Sequence, residues 1–352
     1  MDIVTQGVLG AAVGHAILGR RIGVKAMGLG LVGGILPDLD VFLVSDSSSL
    51  DYWLYHRGIT HSAFFGPIMG LPLAWLSHAI AKARSAEPPS FGRWYLFWLL
   101  VLLTHPLLDL VTHWGTAFLM PLTETRYGVS AIAVIDPVYT LLLLAVLTAA
   151  LVKGARTAAA RHLVLLGLAL TTLYVGMGWG QNLKAERLAE ADLASSEREV
   201  EAVHAYTTLF SPWLRRLVAV TPEAHLVGFV STLKPQPIDW RAFPREPEAE
   251  AAAAVIANSR AAEIYTNFAN GPLHADLRPH DGNPEGGREL RLYDMRFGFP
   301  NGALTGLWGM AAILDAESRL VEARRFSVDP HIAEGDIAAM LRAKLGLEQR
   351  LF

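Results

Sequence analysis

Long apolar runs alternate with short polar segments through the first half of the chain. Each run approaches the roughly 20 apolar residues that cross a bilayer as a helix, so we predict a polytopic membrane domain of about six helices. The predicted helices occupy residues 3–18, 24–44, 62–81, 94–114, 133–152 and 162–180. Beyond residue 180 the apolar runs shorten and charged residues become dense. This change predicts a domain boundary, with a transmembrane domain at residues 1–180 and a soluble domain at residues 181–352.

Apolar and polar residues alternate in parts of the second half, which is typical of half-buried strands. We predict strands at residues 214–220, 225–232, 289–297, 304–314 and 320–328. Helices are expected at residues 182–206, 248–267 and 331–346. The soluble domain is therefore expected to be α+β with an antiparallel sheet, and the chain as a whole to be mostly α.

The composition narrows the classes of function. Hydrophobic residues make up 52% of the 352 residues and charged residues 18%, which is more apolar than an ordinary soluble enzyme. The net charge of -3 and the lack of a basic cluster interleaved with aromatic residues exclude nucleic acid as the main partner. There is no cysteine, so any metal site must use imidazole and carboxylate ligands, which suit zinc, manganese, iron or magnesium.

Basic residues in the short loops predict the orientation. Lysine and arginine cluster within residues 20–25, 82–93 and 153–161, which fall on one side of a six-helix arrangement. The positive-inside rule makes that side cytoplasmic, and the domain after residue 180 is then extracytoplasmic. We expect a multi-pass protein of the cytoplasmic (inner) membrane of a prokaryote, with the lipid bilayer as its surroundings.

Three polar clusters interrupt the apolar runs in the first third of the chain. Their members are histidine or aspartate: Asp38 and Asp40; His56 and His61; and, at four-residue spacing, His105, Asp109 and His113. Residues four apart share one face of a helix. An ionisable side chain inside a bilayer costs a few kcal/mol or more unless it is paired, wetted or bound to metal. The predicted topology brings the three clusters into the outer half of the membrane domain, so we predict a metal site there.

The same segments carry a family resemblance. The motifs are Leu36-Pro37-Asp38-Leu39-Asp40, His56-Arg57-Gly58 followed by Thr60-His61-Ser62, and His105-Pro106-Leu107-Leu108-Asp109. They resemble the YdjM-type membrane-bound metal-dependent hydrolase family. The resemblance implies a metal site that comprises Asp38, Asp40, His56, His61, His105 and Asp109, whereas His113 joins on spacing alone. The chain departs from the family pattern at Gln6, where many relatives have histidine, and at His15, where a similar branch has glutamate.

These ligands exceed what one catalytic zinc needs, so we expect two divalent ions, with zinc the first choice and manganese, iron or magnesium the alternatives. In this interpretation a metal-activated water hydrolyses a phosphoester or another bond of a lipid or lipid-linked substrate. Asp38 and Asp109 are the expected catalytic carboxylates, and Arg57 binds the phosphate. Arg126 is a second candidate for phosphate binding. Amide hydrolysis in a lipid or a membrane-embedded peptide fits the same location.

Other functions use the same residue types. The main alternative is a metal or proton transporter, because membrane histidine and aspartate also line ion pathways. A di-iron oxidase would need more histidines in His-x-x-His-type boxes, and a purely structural metal site would anchor the soluble domain without turnover. The sequence names no protein partner and no ligand for the soluble domain.

Overall fold

Two compact units make up the protein. A computed structural model describes residues 1–43, 50–196, 198–280, 287–299 and 304–329, together with Arg342. One unit comprises Met1–Val44 and Tyr55–Met177, and the other comprises Ser45–Leu54 and Gly178–Phe352. The helix predicted at residues 331–346 lies outside the described residues except at Arg342.

Helices form the framework of the first unit. The helices that precede the first strand are α1 Ile3–Ile22, α2 Val24–Ile35, α3 Asp51–Tyr55, α4 Phe65–Arg84, α5 Phe91–Leu110, α6 Pro137–Val152 and α7 Ala158–Ala194. Short 3₁₀ helices occupy Leu36–Leu43 and Ile59–His61. Apolar side chains of α1, α5 and α6 form the core of this unit, where Leu18, Phe97 and Leu143 are completely buried. Burial of such side chains supplies about 1.5–3 kcal/mol each.

Glycines bring α1 and α2 into backbone contact. A Cβ atom on Gly10 would overlap the carbonyl oxygen of Gly30, and one on Gly34 would overlap the carbonyl oxygen of Gln6. Larger residues at these positions would push the helices apart, as in other small-residue helix pairs. The contact fixes the backbone of Gly34, whose carbonyl group takes part in the candidate site described below.

The helix predicted at residues 24–44 is interrupted. α2 ends at Ile35, and a 3₁₀ helix continues from Leu36 to Leu43. Pro37 has no N–H group and cannot donate the next hydrogen bond of an α-helix. The prediction of one continuous helix is therefore wrong here, and Asp38 and Asp40 lie on 3₁₀ backbone.

The number of membrane crossings is smaller than predicted when judged by helix length and apolar composition. Among the described residues, two helices qualify, Phe91–Leu110 and Ala158–Ala194. A third crossing is counted if Tyr52–His61 and Phe65–Arg84, which meet at a bend of 60°, form one broken span. α2 has only 12 residues and α6 has 16, so each is shorter than a full crossing. The prediction that six helices span the membrane therefore stays a prediction.

The second unit contains two antiparallel sheets of four strands each. Both are meanders, because neighbours in the sheet follow one another in sequence. The first sheet consists of β1 Ala202–Thr208, β2 Ser211–Val220, β3 Ala224–Ser231 and β4 Arg241–Pro244. Two helices follow, α8 Pro247–Ile256 and α9 Arg260–Ala269. The second sheet consists of β5 Leu273–Pro279, β6 Arg288–Asp294, β7 Trp308–Leu314 and β8 Leu320–Ser327.

Several predicted elements of this unit have different boundaries. The helix expected at residues 182–206 stops at Ala194, and β1 occupies its last part, where Val203, Tyr206 and Thr207 favour a strand. The helix expected at residues 248–267 is two helices, because Ser259 caps α9 through a hydrogen bond of 3.2 Å from the Ala262 N–H. Strands β4 and β5 were not predicted, and one expected sheet is in fact two.

A short segment that precedes the first histidine cluster belongs to the second unit. Trp53 of α3 is 2% exposed and packs against the rings of Tyr265 and Phe268 of α9, with centroid distances of 4.7 and 5.2 Å. Arg325 of β8 stacks on the rings of Tyr52 and Trp53 at 4.4 and 5.1 Å. These contacts hold residues 52 and 53 within the sheet unit.

Candidate metal centre

The segment between Tyr55 and Ser62 folds into two tight turns. The Gly58 N–H donates to the Tyr55 carbonyl at 3.0 Å, and the His61 N–H donates to the Gly58 carbonyl at 3.0 Å. Arg57 lies in the left-handed region with φ of 62°, a conformation that costs about 1–3 kcal/mol for a residue other than glycine. Its N–H donates to Asp40 Oδ2 at 3.2 Å, which helps to hold this backbone in place. The turns bury His61 completely.

The C-terminal half of α5 supplies the other two buried groups. His105 and Asp109 are four residues apart, so they project from the same face of this helix. They are 1% and 0% exposed. Both side chains are therefore removed from water and must find polar partners within the protein.

Three donor atoms from distant segments meet at this point. Asp38 Oδ1 lies 3.2 Å from His61 Nε2 and 3.4 Å from His105 Nε2. The two Nε2 atoms are 2.9 Å apart. A four-coordinate ion with ligand bonds of about 2.0–2.1 Å would hold its ligand atoms about 3.3 Å apart, so the spacing fits one such ion. Among the described residues, Asp38, His61 and His105 are the group of three or more metal-capable side chains whose ligand atoms lie this close together.

The remaining ring nitrogens of the two histidines are held by groups that accept hydrogen bonds. His105 Nδ1 lies 2.6 Å from the Gly34 carbonyl oxygen. His61 Nδ1 lies 3.3 Å from Asp40 Oδ2 and 3.0 Å from Thr60 Oγ1. A carbonyl or carboxylate oxygen can only accept, so each Nδ1 carries the hydrogen and each neutral ring presents a lone pair at Nε2. Such contacts to the second nitrogen are the usual way in which metal-binding histidines are oriented.

The donor set is therefore electron-rich on all sides. When both rings are neutral, two imidazole lone pairs and the carboxylate of Asp38 face one another at 2.9–3.4 Å. These atoms repel one another unless a cation, either a metal ion or a proton, lies among them. The residues present thus fit a divalent metal ion of the kind that imidazole and carboxylate bind.

Asp109 lies on the other side of the two imidazoles. Its Oδ2 atom is buried and has no hydrogen-bond partner among the described residues, and it lies 3.5 Å from His61 Nε2 and 3.8 Å from His105 Nε2. Its Oδ1 atom accepts a hydrogen bond of 3.1 Å from Gln6 Nε2 and lies 3.4 Å from Arg57 Nη2. One oxygen of Asp109 is therefore anchored, and the other is directed at the imidazole pair.

Asp40 and His56 form an adjacent pair. His56 Nδ1 lies 2.8 Å from Asp40 Oδ1. Asp40 Oδ2 accepts a hydrogen bond of 2.7 Å from Thr60 Oγ1 in addition to its contact with His61. Both carboxylate oxygens of Asp40 therefore have polar partners, and Asp40 contacts His61 at Nδ1, the ring nitrogen away from the donor group.

Comparison with protein families gives a match to the N-terminal half of the chain. The sequence profile of a family described as YdjM inner membrane protein matches residues 1–184, which is more than half of the chain. The chain belongs to the YdjM inner membrane protein family. This confirms the resemblance seen in the motifs, and it implies a lipid bilayer as the environment of the protein. Comparisons with curated proteins and with solved structures gave no match.

The matched YdjM region contains every residue that the sequence predicted for the site. The structure brings Asp38, His61 and His105 together as a donor group. Asp109 lies against the imidazole pair, and Asp40 and His56 lie behind His61. Their direct binding to metal stays a prediction.

His113 was predicted to share the face of His105 and Asp109. α5 ends at Leu110, and the Thr112 hydroxyl bonds to the Asp109 carbonyl at 2.8 Å in the turn that follows. Helical spacing therefore does not extend to His113, and the argument that placed it in the site fails. It is buried but is not part of the three-residue donor group.

Two arginines were predicted to bind phosphate. Arg57 is 4% exposed, and its Nε atom has no hydrogen-bond partner in the part of the chain that the structure describes. Its guanidinium group also stacks on Trp114 at 5.6 Å. Arg126 donates a hydrogen bond of 2.6 Å from Nη2 to the His56 carbonyl, so part of its guanidinium group supports the backbone of the motif.

Some groups that hold His105 and Asp109 in place were not predicted from the sequence. The Gly34 carbonyl carries no side-chain signal, and its closeness to His105 depends on the packing of α2 against α1 and α5. Gln6 was noted only as a departure from the family pattern, yet its amide donates to Asp109 Oδ1 and to the His105 carbonyl at 3.1 and 3.2 Å. His15 lies apart from this network, with Nε2 2.7 Å from the Ala155 carbonyl oxygen.

Proposed function

We propose that the protein is a membrane-embedded, metal-dependent hydrolase that acts on a phosphoester or another bond of a lipid or lipid-linked substrate. The observation that carries this proposal is the convergence of two imidazole lone pairs and one carboxylate within 4.8 Å of one another. A catalytic zinc site usually has three protein ligands and one open position, and Asp38, His61 and His105 would supply such a set. Family membership adds the bilayer in which an amphiphilic substrate is found.

Each residue of the centre has a role in this proposal. When bound, the metal ion supplies Lewis acidity and an acidified water molecule. Asp109 Oδ2, which accepts no hydrogen bond from the protein, would take the proton of the attacking water. Arg57 would hold an oxygen of the substrate phosphate through its free Nε–H. Asp40, through its contact with His61 Nδ1, would keep that imidazole in place.

A hydrolytic reaction balances with these groups alone. The oxygen of water forms the new bond to phosphorus, and the bond from phosphorus to the lipid oxygen breaks. One proton of the water goes to Asp109, which then gives it to the leaving lipid oxygen. Water is the only co-substrate, and no oxidant is required.

The number of ions is a further part of the proposal. One ion fits the group of Asp38, His61 and His105. Asp40 and His56 would be the ligands of a second ion, and the contact of 2.8 Å between them would have to open. Zinc is the first choice for either position, with manganese, iron or magnesium as alternatives.

The test is elemental analysis combined with turnover of the detergent-purified full-length protein. Variants Asp38→Ala, His61→Ala and Asp109→Ala would be compared with His15→Ala, which removes a buried histidine that bonds to Ala155 instead. We expect metal in the unaltered protein and in His15→Ala, and its loss in Asp38→Ala and His61→Ala. Purified phospholipids and polyprenyl phosphates would be screened for release of phosphate or alcohol.

The role of Asp109 separates the candidate functions. If Asp109 is the proton acceptor, the Asp109→Ala variant should retain the ion bound by Asp38, His61 and His105. Its turnover should fall by about 10²–10⁴-fold. Retention of full metal content by both Asp38→Ala and His61→Ala would refute the centre. Bound metal without turnover, together with metal uptake into proteoliposomes, would favour the transporter and refute the hydrolase.

A further inference from the structure

A large cavity begins at the end of α5 opposite the candidate metal centre and extends along this helix to Thr104. It has a volume of about 950 Å³ and is bounded by α1, α5 and α7. Its polar lining comes from the last turn of α1 and the first turns of α5 and α7, and consists chiefly of Arg20, Arg21, Arg93 and Arg161. Arg93 and His105 are separated by 12 residues, or about 18 Å along the helix, so the arginine end of the cavity is distinct from the centre.

The charged side chains that line this cavity are all positive. Its lining includes four arginines and no carboxylate. Arg161 is half-buried, and its Nε donates to the Ala16 carbonyl at 2.9 Å, which fixes the guanidinium group in the wall. Arg20, Arg21 and Arg93 form no ion pair with the described part of the chain. A set of like charges beside apolar walls attracts an anion, and guanidinium groups suit the geometry of phosphate.

The rest of the lining is apolar. Leu96 and Leu100 of α5 and Leu165 and Leu168 of α7 project into the cavity at spacings of three or four residues. They form a stripe that runs from the arginines toward Thr104, about 16 Å farther along α5 than Arg93. An occupant must therefore carry both a negative head and a long apolar chain, which free phosphate lacks.

We propose that this cavity binds one anionic phospholipid of the surrounding bilayer. The phosphate lies among Arg93, Arg161 and the two arginines of α1, and an acyl chain lies along the leucine stripe. Basic cavities between membrane helices bind anionic headgroups in this way. Because Arg93, which holds the phosphate, lies about 18 Å from His105 along α5, this lipid is bound and not hydrolysed. The site goes beyond the proposed reaction and does not depend on it.

The experiment is a lipid titration of the purified full-length protein, read by native mass spectrometry. Phosphatidylglycerol would be compared with phosphatidylcholine of the same acyl chains. We expect one equivalent of phosphatidylglycerol to be retained preferentially. The Arg93→Gln/Arg161→Gln double variant should bind it about tenfold or more weakly, since each arginine near a lipid headgroup contributes appreciably.

A matched variant tests whether charge alone explains the result. Lys82→Gln/Lys153→Gln removes two exposed positive charges that do not line the cavity, and it should leave phosphatidylglycerol retention unchanged. Equal loss in both double variants, or equal retention of the two lipids by the unaltered protein, would overturn the proposal. Displacement of the lipid by millimolar inorganic phosphate would also overturn it, because the leucine stripe would then contribute nothing. Far-UV circular dichroism would verify that each variant is folded.

Discussion

Two clusters of buried polar side chains differ in how their charges are compensated. In the sheet unit, Arg296 and Asp294 are 3% and 0% exposed, and the guanidinium group bonds to both carboxylate oxygens at 2.9 and 2.7 Å. The charges cancel within three consecutive residues. In the helical unit, Nε2 of His61 and Nε2 of His105 lie 2.9 Å apart and face the carboxylate of Asp38 at 3.2 and 3.4 Å. A closed pair stabilises the fold, whereas an open group of donors indicates a site for a cation.

A second histidine pair sharpens this contrast. Nδ1 of His225 on β3 and Nδ1 of His274 on β5 are 3.4 Å apart and join the two sheets. Phe243 and Tyr293 pack around His274 at ring distances of 6.0 and 6.4 Å. This pair lacks a third ligand within metal-binding distance in the part of the chain that the structure describes. Two close imidazoles are therefore not sufficient evidence for a metal site.

The largest expected effect is loss of the metal ion from the helical unit. We expect His105→Ala to reduce bound zinc, manganese or iron to background, because it removes one of three donors and leaves two facing an empty position. The matched variant His225→Ala removes a histidine of the His225–His274 pair and should keep full metal content. Elemental analysis of both purified proteins measures the difference. Equal metal content in the two variants would end the distinction between an open and a closed cluster.

The next effect concerns the stability of the sheet unit. Arg296→Met should lower the free energy of unfolding by about 3–5 kcal/mol, because it leaves the buried carboxylate of Asp294 without its hydrogen-bonded guanidinium group. Arg319→Met is the control, since Arg319 is 72% exposed and pairs with Asp315 at 2.8 Å on the surface. It should change stability by at most about 1 kcal/mol. Denaturant unfolding of the full-length protein, followed by tryptophan fluorescence, compares the two variants. Similar losses of unfolding free energy in the two variants would show that the buried pair stabilises the protein no more than the exposed pair does.

A smaller effect should appear as a dependence of stability on pH. Burial, the neighbouring His274 and Arg245 lower the pKa of His225 from 6.5 to about 4, and Glu250 opposes this shift. Burial also lowers the pKa of His274. Between pH 4 and pH 6.5 the unfolded chain therefore binds more protons than the folded chain. The stability that the neutral His225 contributes is therefore fully present above pH 6.5 and is lost as the pH falls toward 4.

The loss amounts to at most about 3 kcal/mol for a shift of this size. His225→Phe keeps an aromatic ring and removes the titrating group, so its unfolding curves should depend less on pH between 6.5 and 4. Parallel slopes for the variant and the unaltered protein in this range would contradict the assignment to His225.

The smallest effect tests the support behind His61. Asp40→Asn should weaken metal binding by about 10–100-fold without abolishing it, because the imidazole loses the carboxylate that orients its Nδ1–H. Asp136→Asn is the control, since Asp136 caps α6 through a hydrogen bond of 3.1 Å from the Tyr139 N–H and asparagine caps equally well. Competition with a chelator measures both affinities. Metal binding by Asp40→Asn at the unaltered level would exclude this supporting role.

Local patterns accounted for much of the fold. Long apolar runs predicted α1, α4, α5 and α6 to within a few residues, because a helix buries its side chains with a fixed period. Alternation predicted strands β2, β3, β6 and β8 for a similar reason. The failures lie where an element changes within a continuous pattern. Pro37 ends α2, and β1 follows α7 without a strong turn signal.

The sequence by itself determined the chemistry available to this protein. It supplied imidazole and carboxylate as the only strong metal ligands, their apolar surroundings, and the four-residue spacing that sets His105 and Asp109 on one helical face. Only the tertiary structure decided which of these groups meet. Asp38, His61 and His105 lie on three separate segments, and their contacts depend on glycine packing, two 3₁₀ turns and hydrogen bonds to Asp40 and Gly34. Local periodicity fixes neighbours along one helix, whereas contacts between distant segments are set by how the whole unit packs.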